Sequence, residues 1–411
     1  MRLPFSTEKI LAVTAVSIAF VTCVIGGISV SISNHDRVIL GIQSEGKTLT
    51  GMSETEIRQF FLEKARAKMK KPALVVTNGS QRWDIQATDI ELTPNVEQAV
   101  QDAYGTGRGG SLLTNTLTQM RIALVGKDVR LTATYNDDKL QAKLVAIATS
   151  LSRVPKNASL TLSPRGNVER HAALTGRQAD ATTLHDTVAP KLSALALTVR
   201  TEILVEETEP VITDDTLASI DGVLASYQTK YSPGNRGHNI ALAAGKLNGS
   251  LVKPNGIFSF NDTVGLRTAT AGYKVAGVIL DGQMADGIGG GVCQVSSTLY
   301  NAVLLAGLTP TARTSHALPS AYCPPGLDAT VADGQIDLQF RNQLAHSVYL
   351  LTSADGHTLT VYILGTRADL GGKTIRLESN GSRLHPSVYR LYLAGGQVIE
   401  REFLHTDNYA S

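Results

Sequence analysis

Cys293 ends the stretch Gly287-Ile288-Gly289-Gly290-Gly291-Val292-Cys293. Four glycines in its first five positions exclude a helix there. From Gln294 to Gly307 the pattern changes, with apolar Leu299, Val303 and Leu304 and a glycine stop at Gly307. The thiol therefore stands where a glycine turn becomes a helix. Unpaired N–H groups and partial positive charge at a helix start favour thiolate over thiol. Gly289, Gly290 and Gly291 would let a ligand come close to the backbone. Downstream lie Ser315-His316, then Asp328, Asp333 and Asp337 on short β-like stretches. A thiol at a helix start, then a histidine, then an acid is an order suited to Cys-His-Asp acyl transfer. The imidazole takes the thiol proton and a carboxylate orients the imidazole.

Each candidate also has a plainer reading. Cys293 is equally a small apolar residue packed at a tight turn, or one half of a disulfide with Cys323. His316 serves as general base if it reaches Cys293, and otherwise caps a strand or binds a carbonyl. Asp337 alternates with Ile336 and Leu338 and points either to a site or to solvent. Asp328 is a second candidate acid or a turn residue. Arg267 could grip a peptide carboxylate or lie in a surface loop. Gln294 and Ser297 fall on the first helical turn, where Gln294 could support an oxyanion or both could cap. His171 and His185 stand alone, without a thiol or a spaced metal partner.

Several elements must position these groups. Ser53-Glu54-Thr55-Glu56 has capping-box form before Ile57, Phe60 and Phe61, and Lys71-Pro72 stops that helix. Ala73 to Thr77, Asn78-Gly79 and Arg82 to Ala87 read as a hairpin. A similar order recurs: a helix over Asp137 to Leu151, a strand over Ser159 to Leu162, a turn at Arg165-Gly166-Asn167 and a return strand to His171. A helix over Ala181 to Ala194, interrupted by Pro190, and a strand over Leu197 to Val205 follow. This region reads as a tandem of one small α+β module. Glu206, Glu207, Glu209 and Pro210 mark a linker. After Asn342 the chain is β-like, with a hairpin turn at Ala394-Gly395-Gly396 and no catalytic candidates.

Composition removes several classes. The 411 residues call for two or three domains, and 43% apolar content supports real cores. A net charge of +2 gives no reason to expect nucleic-acid binding. Three cysteines cannot form a disulfide scaffold, and no Walker loop, zinc-spaced cluster or His-Glu-x-x-His is present, so neither cofactor nor metal is expected. Ile10 to Ile32 carries no charge and spans roughly 35 Å as a helix, enough to cross a bilayer. Arg2 and Lys9 precede it, favouring a cytoplasmic N-terminus, and Cys23 lies within it. The run is expected to be an uncleaved single-pass anchor, with everything after Ser33 outside the cytoplasm.

The region from Ser219 to Glu402 closely resembles the VanW family, named for an accessory protein of vancomycin-resistance gene clusters. The resemblance rests on Phe258-Ser259-Phe260-Asn261, Val264-Gly265, Arg267-Thr268, Gly272-Tyr273, Gly287 to Ser297 and Thr298-Leu299-Tyr300-Asn301. It continues through Ser315-His316, Pro324-Pro325-Gly326, Asp328-Ala329-Thr330-Val331 and Asp337-Leu338-Gln339-Phe340-Arg341-Asn342, to Tyr389-Arg390 and Arg401-Glu402. Cys323 departs from the usual context before Pro-Pro-Gly, and no role is attached to it. The preceding region resembles the peptidoglycan-binding module often found before VanW domains. The resemblance implies the cell wall rather than a reaction. The expected organisation is residues 1–35 as anchor, 36–210 as a tandem α+β peptidoglycan-binding region, and 211–411 as an α+β VanW-like domain with a β-rich end. Its partners would be peptidoglycan or its precursors and, through one helix, the membrane. The catalytic set would be Cys293, His316, Asp337 and Asp328, with Gly289, Gly290, Gly291, Gln294 and Arg267 binding ligand. The rivals are a non-catalytic wall-binding or scaffold protein and a partner of other envelope proteins.

Overall fold

A computed structural model describes residues 7–33, 36–280 and 283–410. The chain divides into two compact units. The first comprises Met1–Val154 and Arg177–Thr208, and the second Pro155–Gly176 and Glu209–Ser411. Both mix helices with several small sheets of two to four strands.

In the first unit the helix Thr7–Ser33 covers the uncharged run. No helix among the described residues is long and apolar enough to cross a membrane. That overturns the expected N-terminal anchor, the single-pass localisation built on it and the membrane as a partner. The run also holds the hydroxyls of Thr14, Ser17 and Thr22 and the pair Gly26-Gly27. Thr22 turns its hydroxyl back onto the Ile18 carbonyl at 2.8 Å. Arg2 and the side chain of Cys23 lie outside the described residues.

The helix Glu54–Met69 starts on a capping box in which Ser53 and Glu56 bond each other's backbone N–H groups. Its Ile57 and Phe61 are fully buried. Strands Leu74–Asn78 and Gln81–Ile85 form an antiparallel hairpin, and Val199–Glu202 adds to it in parallel. The helices Asp137–Leu151 and Ala181–Ser193 contribute Leu140, Leu144, Leu184 and Val188 to the same core. Pro190 lies inside the latter helix without ending it.

The two similar hairpins of the expected tandem fall in different units. The hairpin Ser159–Leu162 with Val168–His171 belongs to the second unit, whereas the hairpin it resembles lies in the first. Its Leu160 packs with Leu217, Ile220, Tyr349 and Leu364. Hairpins of the same local sequence type carry no information about which core will take their apolar face.

In the second unit, Gly222–Lys230, Thr358–Gly365, Val348–Ala354 and Leu251–Val252 form a four-stranded antiparallel sheet in that order. The helices Asn235–Leu247 and Val292–Leu305 pack on it. Val292–Leu305 is buried on nearly all sides, including the polar residues Gln294, Ser296, Ser297, Thr298 and Asn301. Ile257–Ser259, Gln339–Arg341 and Thr309–Ala312 make a second sheet. The strands Thr374–Gly381, Pro386–Ala394 and Gln397–Thr406 make a third, placed against the C-terminal half of the central helix.

Candidate active site

The glycine turn is forced by space as well as by backbone angle. Gly291 caps the central helix at φ +107°, a left-handed value costly for any other residue. A Cβ on Gly290 would lie 2.6 Å from the carbonyl oxygens of both Ala276 and Gly277. Gly290 thus lets the neighbouring hairpin close over the start of the helix, and its own carbonyl accepts from buried Asn239 at 3.0 Å. These contacts give Gly289, Gly290 and Gly291 a packing role, whatever they also offer a ligand.

Cys293 follows on the first helical turn, partly exposed and unpaired. Its sulfur donates to the Val331 carbonyl at 3.5 Å. The His316 imidazole is near enough for the two groups to shift each other's ionisation. His316 is joined in turn to Asp328, whose Oδ2 accepts from ring Nδ1 at 2.6 Å and from the His316 backbone N–H at 2.7 Å. Asp328 is 1% exposed, and its other oxygen accepts from Arg313 at 3.2 Å and from the Tyr409 hydroxyl. The carboxylate therefore holds the imidazole, and the imidazole is electrostatically coupled to the thiol.

The electrostatics agree with that connectivity. Burial opposes ionisation of the Cys293 thiol, but the adjoining imidazole and the Arg267 cation outweigh it, and the pKa falls below its ordinary value. Burial likewise opposes protonation of His316, yet bonds to Asp328 and to Cys293 hold it up at about 9. Asp328 sits below the carboxylate range: burial is overcome by His316, Tyr409 and Arg313. Cys323 provides the contrast. It is buried beside Ser320, and desolvation pushes its thiol up to about 12. Cys293 and Cys323 do not pair.

The polar face of the central helix fastens the extended segment that carries the acid. Ser296 donates to the Ala329 carbonyl at 2.6 Å, and Ser297 accepts the Ala329 N–H at 2.9 Å. Asn301 donates to the Leu327 carbonyl at 2.7 Å. These bonds fix residues 327–331 over the helix, and so fix Asp328 and Val331 relative to Cys293. Tyr322 closes the near side, its ring edge-on to His316 and its hydroxyl donating to the Cys293 carbonyl at 3.3 Å.

Other sequence candidates fall elsewhere. Asp337 receives the Ser259 hydroxyl at 2.7 Å, the Asn261 N–H at 2.9 Å and the Gln339 amide at 3.0 Å. It orders the turn into the helix Phe260–Val264 and makes none of its bonds to His316. Gln294 is consumed: its amide nitrogen donates to Thr229 at 3.0 Å and to the Lys230 carbonyl at 2.8 Å, while its oxygen accepts from Arg236 at 3.2 Å. No oxyanion role is left to it in this arrangement. Arg267 is paired with Asp333 and donates to Asn261 at 2.7 Å, so it is not a free carboxylate clamp. With Ser259, Asp262, Asp333, Asp337 and Gln339 it lines an open polar cavity of about 430 Å³. Arg313, Tyr322 and Tyr409 were not singled out from the sequence. Their spacing carries no motif, because only the fold brings them to Asp328. Among the described residues no cluster of three or more His, Cys, Asp or Glu has a metal-holding arrangement.

This geometry lies within a recognisable stretch. Residues 235–364 match the family described as VanW like protein. Residues 83–195 match a second family, described as "Putative peptidoglycan binding domain". Over 155 residues the chain is 42% identical to "Uncharacterized protein YoaR" of Bacillus subtilis (strain 168), covering 37% of this chain and 51% of that one. Over 187 residues it is 28% identical to "Vancomycin B-type resistance protein VanW" of Enterococcus faecalis (strain ATCC 700802 / V583), covering 42% of this chain and 68% of that one. The chain thus spans about half the length of the Bacillus relative. No solved structure matches it. The VanW-like match is thus preceded by a match of the peptidoglycan-binding kind.

Proposed function

We propose that the VanW-like domain is a cysteine-dependent acyl-transfer or amide-cleaving enzyme acting on peptidoglycan, which the region around residues 83–195 holds. The observation that carries this reading is the His316–Asp328 pair, coupled electrostatically to Cys293 at the glycine-to-helix turn. With Nδ1 engaged by Asp328, Nε2 is the nitrogen left for the sulfur. The thiolate attacks an amide carbonyl carbon and forms a thioester. The imidazolium gives its proton to the departing amine as the C–N bond breaks. Water or a second amine then displaces the sulfur, losing a proton to His316. The helix N-terminus supports charge on the carbonyl oxygen during both steps. The peptidoglycan substrate is taken from the family description of the preceding region.

The test is mass spectrometry of the full chain incubated with muropeptides. A thioester-mass adduct on Cys293 that is absent from Cys293→Ser is expected, together with sedimentation of the chain with purified peptidoglycan. In cells, Cys293→Ser and His316→Ala should abolish function while the protein accumulates. Full function in Cys293→Ser would overturn the enzyme reading in favour of wall binding alone.

A further inference from the structure

Two residues far along the chain bear on the acid of this site, Tyr409 directly and Asp407 through Arg313. The segment after the last strand is fastened on both sides of it: Asp407 N–H donates to the Pro386 carbonyl at 3.0 Å, Tyr409 N–H to Leu384 at 2.9 Å, and Ala410 N–H to Ala317 at 2.8 Å, one residue past His316. Tyr409 is 5% exposed. Its hydroxyl accepts the Gly326 N–H at 2.7 Å, which leaves its proton for Asp328 Oδ1. The same oxygen takes Arg313 Nη2 at 3.2 Å, while Arg313 Nη1 goes to Asp407 Oδ1 at 2.5 Å. Asp407 thus shares Arg313 with Asp328. Both residues lie beyond the family match, which ends at residue 364.

We infer that Tyr409 and Asp407 are positioning residues of the Cys293–His316–Asp328 system, setting from opposite directions how strongly Asp328 holds the His316 imidazole. The inference rests on the reading that His316 serves Cys293. The physical argument concerns one buried carboxylate with few donors. Tyr409 withdraws part of the Asp328 charge. Without that donor the carboxylate leans harder on the imidazolium. Asp407 does the reverse, because it draws Arg313 away. Without its charge Arg313 neutralises Asp328 more fully, and the imidazolium loses support. The other titratable groups facing Asp328 are Tyr300, Tyr322 and Cys323, all held neutral by burial. The group facing His316 from the helix is Cys293. His405 lies 3.5 Å from the second oxygen of Asp407.

The test is an NMR titration of the His316 ring in the full chain, assigned by its loss in His316→Ala. Tyr409→Phe should raise the midpoint and Asp407→Asn should lower it, each by roughly half a pH unit. A purely structural role lowers thermal stability without opposite shifts. Midpoints that stay put, or move the same way, in folded variants would overturn the inference. If Tyr409→Phe does not fold, the downward shift in Asp407→Asn decides alone. Failure of the enzyme reading shows separately, as full function in Cys293→Ser cells, since the ring titration needs no turnover.

Discussion

His316 and Asp328 are joined twice: one carboxylate oxygen accepts both the ring Nδ1–H at 2.6 Å and the backbone N–H of the same histidine at 2.7 Å. The two bonds fix the tautomer and the ring's orientation together, leaving Nε2 for the sulfur. Replacing Asp328 by Asn keeps the shape but leaves an imidazolium without its counter-charge. His316 should then titrate well below about 9. The folded state should lose about 3 kcal/mol, the usual cost of breaking a buried pair. Denaturant unfolding and ring titration measure both, and an unchanged midpoint would contradict the contact's role.

The two cysteines should separate sharply by reactivity. The Cys293 thiol is held below its ordinary pKa by His316 and Arg267 against burial, whereas burial drives Cys323 to about 12. At neutral pH the thiolate fractions differ by roughly a thousandfold or more, at a factor of ten per pH unit. Alkylation followed by peptide mapping should label Cys293 first. In His316→Ala its labelling should slow, because the imidazole that favours the thiolate is gone. Equal labelling of both thiols in the folded chain would count against the site.

Stability against pH follows from two opposed shifts. A histidine raised from 6.5 to about 9 stabilises the fold fully below 6.5, and that contribution is lost as pH rises through 9. A thiol lowered from 9 stabilises the fold above 9, and that contribution is lost as pH falls through its depressed value. Between the histidine's ordinary value and 9 the two slopes oppose each other. Cys293→Ser removes the thiol's share, so its stability should decline with rising pH above about 6.5 where the intact chain is flatter. Denaturant midpoints across that range provide the check; parallel curves for the two proteins would refute the coupling.

The clamp between the central helix and residues 327–331 can be loosened one bond at a time. Ser297→Ala strands the buried Ala329 N–H and removes the bond to the Cys293 carbonyl at 2.7 Å. A loss of about 1–3 kcal/mol is expected for an unsatisfied buried donor. Thermal unfolding should show it, with slower Cys293 alkylation as the segment carrying the acid drifts.

Gly290→Ala tests the turn itself. The new methyl would meet two backbone oxygens at 2.6 Å, which no side-chain rotation relieves. A cost of about 1–3 kcal/mol is expected from overpacking. A variant with wild-type stability and wild-type thiol reactivity would show that this turn is not under steric constraint.

The order thiol, histidine, acid was legible because it is local chemistry: glycine run, helix start, Ser315-His316 and Asp328 are each visible in short windows. The capping box at Ser53 and the helix Asp137–Leu151 were readable for the same reason, being set by neighbours a few residues apart. Which acid meets the histidine was not, since Asp328, Asp333 and Asp337 have similar local surroundings. Tertiary structure divides them: Asp328 goes to His316, Asp333 to Arg267, and Asp337 to Ser259 and Asn261. The N-terminal run was read as a span from its length and lack of charge, and no helix among the described residues meets that requirement. Gln294 misled because the partners that consume it, Thr229, Lys230 and Arg236, lie more than fifty residues away. Tyr409 was invisible for the same reason: a lone tyrosine becomes a donor to Asp328 only when the last strand returns to the histidine loop. Sequence alone determined which groups could do chemistry and where the helix carrying the thiol begins, because both depend on short-range sterics and bonding. Which of them meet was decided by burial, where a charge without a partner is too costly to remain.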